Sequence, residues 1–265
     1  MLSGRVVLPV ASVYVAWQAE GLPGLHRALM VELDVDGEAI AEGDLDSGLA
    51  VFRGGWAALE QHGLARGRRV RDDFARALRL IAEASTEFYA FFNHGDEPTR
   101  SALVVVSGED ALRVVVTPDR RFAIEPVRAD EAAQALIAAL PEAPPGRGRM
   151  ISLPADALSE KPTSQDEDGG SFLQANRPVT TPHQQQVQEL RRLLAAPRLG
   201  GGQLYACRRD RHGNRVRSAA PVTYFDTPTG RYLHHRVEGN GGTWMTVQPA
   251  DFTTMAGRLG ALTTA

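Results

Sequence analysis

The stretch GGGQLYACRRDRHGNRVRSAAPVTYFDTPTGRYLHHRVEGNGGTWMTVQPADFTTMAGRLGALTTA, residues Gly200–Ala265, decides the fold. Runs of β-branched and aromatic residues alternate in it with clusters of glycine, aspartate, asparagine and proline, which favour turns. The strand-like runs are Tyr205–Arg209, Val222–Phe225, Arg231–Val237 and Thr243–Val247, and the turns between them cover 210–214, 226–230 and 238–242. The stretch therefore predicts an antiparallel meander that a C-terminal helix closes.

The same order of elements occurs earlier in the chain. A helix over Arg71–Ala84 precedes four strand-like runs, just as a helix over His183–Ala195 precedes the C-terminal meander. The earlier runs are Phe88–Phe92, Leu103–Val106, Leu112–Val116 and Phe122–Ile124. A helix follows each meander, and Asp130 and Asp251 stand where the N-caps of those two helices belong.

These repeats predict an α+β protein, with two quasi-repeated helix–antiparallel meander–helix halves around a central, mainly antiparallel sheet. The halves cover approximately 1–140 and 149–265 of a single domain, 1–265, and a Pro- and Gly-rich stretch joins them. Between 159 and 180 the chain is polar, acidic and rich in turn formers, so we expect a mobile loop. Phe172 and Leu173 are apolar residues within this loop, and they either pack locally or touch a partner.

Composition and charge narrow the class of protein. Of the 265 residues, 43% are hydrophobic and 23% are charged, which is typical of a globular protein that needs no disulfide staple. Cys207 is the only cysteine, and its place in a strand-like run predicts a small core residue or an idle thiol rather than a nucleophile. No signal peptide and no run of about 18 apolar residues is present. We therefore expect a cytoplasmic protein without membrane insertion.

Motifs that carry chemistry are sparse. His234 and His235 are adjacent, so in a strand they point to opposite faces and cannot share one metal ion without a bulge. No serine stands in a nucleophile elbow, and Gly200-Gly201-Gly202 follows a helix and predicts a helix stop and turn rather than a phosphate cradle. Arginines cluster over 208–217, but the net charge of −3 favours a solvated hairpin over nucleic-acid binding. A pair of catalytic carboxylates stays open as an alternative.

One ordered set of residues resembles a known family. The set comprises Gly200-Gly201-Gly202, Arg209-Asp210, Asp226-Thr227, Gly230-Arg231-Tyr232-Leu233, Trp244 and Pro249-Ala250-Asp251. In this order and spacing it resembles the EspG family, the ESX (type VII) secretion-associated proteins of actinobacteria. The likeness covers most of the chain and is sharpest from Leu190 onward. The resemblance implies a cytoplasmic chaperone that is not an enzyme and needs no cofactor.

The resemblance also implies a partner, a PE–PPE-like heterodimer or another type VII substrate protein. The chaperone would cap the apolar helical tip of the PPE protein and keep the pair soluble for export. Its partner surface would lie on the central sheet and the C-terminal helical part. Two alternatives stay open: an enzyme with an unrecognised carboxylate or histidine site, and a structural scaffold that works only as an oligomer. A weak homo-oligomer is compatible with the chaperone as well.

Alternation of side chains along the strands suggests which residues contact the partner. We expect the more aromatic and cationic face of the second meander to be open, because Tyr, Trp and Arg are favoured in interface hot spots. The predicted partner-binding residues are Tyr232, His234, Arg236, Trp244, Phe172 and Leu173. The alternative is that Tyr232 and Trp244 belong to the core, where large aromatic side chains are usually found.

Overall fold

The structure, a computed structural model, describes residues 1–31, 45–158, 182–239 and 242–263. The chain divides into two compact units: the first comprises Met1–Glu142, Gly202–Pro221 and Phe252–Ala265, and the second comprises Ala143–Gly201 and Val222–Asp251. The predicted halves, 1–140 and 149–265, describe an internal sequence repeat rather than these units. They stay a prediction. The predicted mobile loop 159–180, with Phe172 and Leu173, lies outside the described residues.

Helices and antiparallel strands build both units. The helices are α1 (Val10–Ala19), α2 (Leu45–Gln61), α3 (Asp72–Glu83), α4 (Ala132–Ile137), α5 (Pro182–Ala195) and α6 (Phe252–Ala261). The strands are β1 (Val6–Pro9), β2 (Ala65–Arg66), β3 (Arg69–Val70), β4 (Thr86–His94), β5 (Arg100–Ser107), β6 (Asp110–Val116), β7 (Arg121–Pro126), β8 (Ile151–Pro154), β9 (Gly200–Arg209), β10 (Arg215–Arg217), β11 (Val222–Thr227), β12 (Gly230–Gly239) and β13 (Gly242–Pro249). The predicted α+β class is confirmed, and the predicted strands of both meanders form, with β10 as an additional strand that pairs with β9.

The first unit is built on strands in the order β1-β7-β6-β5-β4-β9, and β10 pairs with β9. Helix α3 contacts β5 and β6, and its apolar residues recur at helical spacing: Phe74, Leu78 and Ile81 are at most 1% exposed. Helices α1 and α2 approach closely, because a Cβ on Gly55 would lie 2.9 Å from the Ala11 carbonyl oxygen. The burial of this apolar surface holds the unit together.

The second unit is a smaller antiparallel sheet in the order β11-β12-β13-β8. Helix α5 supplies Leu190 to its core, with Val187, Leu193 and Leu194 packed alongside. The sheet supplies Ile151, Leu153, Phe225, Tyr232, Met245 and Val247 to the same core. One face of this sheet is therefore covered by a helix.

Two local predictions are wrong. Asp130 is not an N-cap: Ala129–Glu131 forms a 3-10 turn, α4 begins only at Ala132, and the Asp130 carboxylate pairs with Arg128 at 2.6 Å. The triple glycine does not end a helix either, because Gly200–Gly202 already belongs to β9. Gly201 allows a close approach there, since a Cβ would lie 3.0 Å from the Tyr224 carbonyl oxygen.

Candidate functional site

The register of the second unit assigns side chains to its two faces. Tyr232, His234 and Arg236 of β12 stand opposite Pro249, Val247 and Met245 of β13. Directly opposed residues of an antiparallel pair share a face, so these side chains lie on the face that α5 covers. Trp244 stands opposite Val237, on the other face. The prediction that Trp244 shares an open face with Tyr232 is therefore wrong, because sequence alternation alone does not fix the register between strands.

Tyr232 is a core residue, only 1% exposed. Its ring stacks on Phe225 with centroids 5.6 Å apart. Its hydroxyl accepts a hydrogen bond from the Arg147 backbone N–H at 3.0 Å and lies 3.1 Å from the Thr229 hydroxyl. The prediction that Tyr232 lies on an open face is therefore wrong, and the alternative, a core position, is correct. Its ring fills the core, and its hydroxyl binds the backbone at Arg147.

His234 and Arg236 lie further along the same face. Arg236 is exposed, whereas His234 is half-buried and its Nε2 atom finds no hydrogen-bond partner among the described residues. Burial lowers the pKa of His234, and the positive charges of Arg236 and Arg198 lower it further. Both surroundings favour the neutral imidazole, so His234 offers a polar but uncharged contact at neutral pH.

Trp244 is the exposed aromatic residue of the opposite face, with 38% of its surface open to solvent. Its cross-strand neighbour on the edge strand β8 is Pro154, which has no N–H to donate. Two residues further on, Ser152 and Thr246 join the same strands by a hydroxyl–hydroxyl hydrogen bond of 2.9 Å. Trp244 therefore stands on a backbone that is paired on both sides.

A groove of about 430 Å³ lies between α4 and α6 in the first unit. Phe252 stands at its rim with 49% of its surface exposed, and the buried Phe88 of β4 also lines it. Most of the remaining lining is small: Ala129, Ala132, Ala133, Ala256, Gly257 and Gly260. A Cβ on Gly257 or Gly260 would meet no atom within 4 Å, so these glycines border open space. Sequence reasoning missed the groove, although Gly257 and Gly260 are three residues apart on the predicted last helix and so share a helix face.

The arginine-rich hairpin β9–β10 serves the fold. Arg209 donates to the carbonyl oxygens of Ala84 at 3.0 Å and Ala82 at 2.6 Å, at the C-terminal end of α3. Arg215 pairs with Glu87 at 2.9 Å. Cationic side chains satisfy free carbonyl groups and the helix dipole at this end, which explains part of the cluster without nucleic acid.

A buried ionisable cluster in the first unit surrounds Glu87. Its carboxylate lies 3.4 Å from His26 Nε2 and 2.9 Å from Arg215 Nε, and both Glu87 and His26 are at most 4% exposed. Burial would raise the pKa of Glu87, but the hydrogen bond and charge of His26 and the charge of Arg215 outweigh it and lower that pKa. Cys207 nearby is buried, as predicted, and burial raises the pKa of its thiol. Arg215 donates to Glu87 Oε1 at 2.9 Å, whereas the buried Oε2 has only the 3.4 Å approach of His26 and no hydrogen bond among the described residues.

Within residues 1–31, 45–158, 182–239 and 242–263, no group of three or more His, Cys, Asp or Glu side chains could hold a metal ion. None of the helices described is both long enough and apolar enough to cross a membrane.

Comparison with known proteins gives one consistent result. The sequence profile of the EspG family matches residues 9–261. No curated protein sequence matches the chain. A similar solved structure is the type VII secretion system chaperone EspG5 of Mycobacterium tuberculosis, in complex with a PE25–PPE41 dimer. The match has 13% sequence identity and a TM-score of 0.64, and it covers 98% of this chain and 95% of EspG5. At this identity the structural match shows a shared fold.

Proposed function

The chain belongs to the EspG family, and from that premise we propose that it is a cytoplasmic chaperone for a type VII secretion substrate. It binds a PE–PPE-like heterodimer, shields the apolar helical tip of that client and keeps it soluble for export. The similar fold of EspG5, whose complex contains a PE25–PPE41 dimer, supports this proposal. Chaperoning of this kind requires an apolar surface and no catalytic group.

The α4–α6 groove is the observation that carries the proposal. An apolar helix needs a groove in which its side chains leave water and its backbone comes close to the wall. Alanine and glycine along α4 and α6 leave room for that approach, and the half-exposed Phe252 adds an aromatic anchor at the rim. Binding of a client helix would bury Phe252 and gain roughly 25 cal/mol for each Å² of apolar surface removed from water.

Polar groups surround this apolar lining. Asp130 and Gln134 line the α4 side of the groove, and Asp130 is paired with Arg128 at 2.6 Å. Thr253 contributes a hydroxyl on the α6 side. An apolar centre with a polar rim is the usual anatomy of a protein interface. The polar rim stays hydrated when no client is bound.

Trp244 is a second proposed contact with the client, in the other unit. A half-exposed tryptophan held on paired strands is the residue type that most often acts as a hot spot. The exposed Arg236 and the half-buried His234 remain proposed polar contacts, whereas Tyr232 would act indirectly, by holding the Arg147 backbone. Phe172 and Leu173 stay a prediction.

Recovery of the client by a tagged chain tests the proposal. The chain is expressed in its native host, purified by its tag, and the bound proteins are identified by mass spectrometry. Gly257→Leu fills the groove, and because a Cβ there meets no atom within 4 Å and leucine favours helices over glycine, the variant should fold. Gly54→Leu is the matched control, since Gly54 also lies in a helix and borders open space.

The outcomes separate the function from the site. We expect the parent chain and Gly54→Leu to recover a PE–PPE-like pair and Gly257→Leu to lose it. Retention of the client by Gly257→Leu would show that the groove is the wrong site while the chaperone function stands. Failure of the parent chain to recover any secretion substrate would overturn the function itself.

A further inference from the structure

A small basic hairpin, β2 and β3, stands between α2 and α3 in the first unit. Its two-residue turn is Gly67-Arg68, and Gly67 has a φ of 61°, which suits the first turn position of a tight hairpin. The Gly67 N–H donates to the Glu60 carboxylate of α2 at 2.6 Å. This hydrogen bond ties the hairpin to α2.

Arg66 and Arg69 stand directly opposite each other across this hairpin. Like charges in directly opposed positions destabilise a strand pair, and an isolated two-stranded hairpin is marginal to begin with. Both side chains are exposed, and neither makes a hydrogen bond or an ion pair with the residues that the structure describes. The arrangement costs stability and leaves two guanidinium groups available to an anion.

These arginines open onto a shallow cavity of about 450 Å³. Arg76 of α3 lines it as well, exposed and likewise without an ion pair among the described residues. Arg71 and Asp73 also line it and largely neutralise each other, with Arg71 Nη2 3.0 Å from Asp73 Oδ2. Asp72 is the remaining carboxylate, so four arginines face two aspartates and the cavity is cationic overall.

We infer that this cavity binds an acidic segment of a partner protein through its glutamate or aspartate side chains. The guanidinium group matches a carboxylate by two parallel N–H donors, and Arg66 and Arg69 present two such groups side by side. A carboxylate bound between Arg66 and Arg69 attracts both guanidinium groups and offsets their mutual repulsion. The inference does not depend on the client groove, which other residues form.

A protein carboxylate fits better than a nucleic-acid backbone. Nucleic-acid binding gains affinity from many phosphate contacts, and this cavity offers about three free cations in a chain with a net charge of −3. Asp72 and Asp73 on the cavity wall would repel a continuous phosphate chain but still allow isolated carboxylates between the arginines.

The test uses the full chain and a fluorescein-labelled peptide in which glutamate alternates with serine, followed by fluorescence anisotropy. The peptide in which glutamine replaces glutamate is the uncharged control. Arg66→Glu should weaken binding by about tenfold or more, because one attractive charge becomes repulsive. The same change opposes Glu to Arg69 and should raise the Tm by about 1–3 °C, which separates lost binding from lost folding.

Arg5→Glu and Arg149→Glu are matched controls, because both arginines are exposed and lie outside the cavity. Each control changes the net charge by the same amount and should leave the affinity within about twofold of the parent. Equal losses in Arg66→Glu and the controls would reduce the effect to overall charge and overturn the inference. Binding of the glutamine peptide, or tighter binding of a single-stranded oligonucleotide that Arg66→Glu abolishes, would also overturn it.

Discussion

Gly146 lies so close to the ring of Tyr232 that a Cβ on Gly146 would overlap three ring atoms. The neighbouring Pro145 forms a bridge with Arg231, and the Gly146 N–H donates to the Arg231 carbonyl oxygen at 2.8 Å. The Tyr232 hydroxyl closes the arrangement by its hydrogen bond with the Arg147 backbone. A backbone segment thus covers the aromatic residue that sequence alternation placed on an open face.

Gly146→Ala should therefore destabilise the protein by about 1–3 kcal/mol, because the buried ring cannot move aside without disturbing the core. Urea unfolding followed by circular dichroism measures the change. Gly24→Ala is the matched control, since a Cβ there meets no atom within 4 Å, and it should be neutral or slightly stabilising. Equal stability of the two variants would show that Tyr232 is not confined as described.

Arg209→Ala should destabilise the protein by about 2 kcal/mol. The change removes the donors to the carbonyl oxygens of Ala82 and Ala84 at the end of α3, and Ala82 then keeps only the longer hydrogen bond from Arg215 at 3.4 Å. Arg211→Ala is the control, because Arg211 is exposed in the turn and contacts only His212 among the described residues. Thermal unfolding of both variants tests whether the hairpin stabilises the fold. Equal losses of stability in Arg209→Ala and Arg211→Ala would contradict that role.

The sequence predicted the strands well because each meander carries its own turn chemistry. Glycines with positive φ stand in the turns at Gly108, Gly213 and Gly230, and the strands between them follow the β-branched runs. These signals are local, so one sequence is sufficient to read them. The helix α3 was equally clear, since Phe74, Leu78 and Ile81 recur at helical spacing.

The candidate site was not predictable by the same means. The face of Trp244 depends on its pairing with Val237, which is a property of two strands and not of either alone. The burial of Tyr232 depends on a segment more than eighty residues away in sequence. The α4–α6 groove is lined by two helices that are far apart in sequence. The sequence of one helix does not indicate that it packs beside the other.

Stability should fall as the pH is lowered through the histidine range, and His234 should account for part of the fall. Its pKa in the folded protein lies below the ordinary value of 6.5, chiefly because of burial. The unfolded chain therefore binds the proton at His234 more readily than the folded protein does. The free energy of unfolding is unaffected by this residue above about pH 6.5 and falls as the pH drops toward the pKa of His234 in the folded protein. The lowered pKa of Glu87 acts only further into the acid range, below its ordinary value of 4.5.

His234→Gln should reduce the difference in Tm between about pH 8 and about pH 5, since the variant cannot take up the proton at this position. His62→Gln, a change at an exposed position in the first unit, is the control and should preserve the pH dependence of the parent. The same slope in His234→Gln and the parent chain would show that His234 does not contribute.

Trp244→Ala should weaken client binding by about tenfold or more if the indole is a hot spot. Because 38% of the residue is already exposed, its loss should cost only about 1–2 kcal/mol of stability and leave the protein folded. Met150→Ala is the control, since Met150 is 55% exposed in the same unit but does not belong to the strand pair. Isothermal titration with the purified client gives the affinities.

The double variant Trp244→Ala with Gly257→Leu then shows whether the indole and the groove bind the same client. Independent contacts should give binding losses that add in free energy to within about 0.5 kcal/mol. If only Gly257→Leu loses client affinity and Trp244→Ala binds like Met150→Ala, Trp244 lies outside the interface and the groove is the site. A loss confined to Trp244→Ala would reverse that assignment, because a filled groove that still binds cannot be the place where the client's apolar tip is shielded.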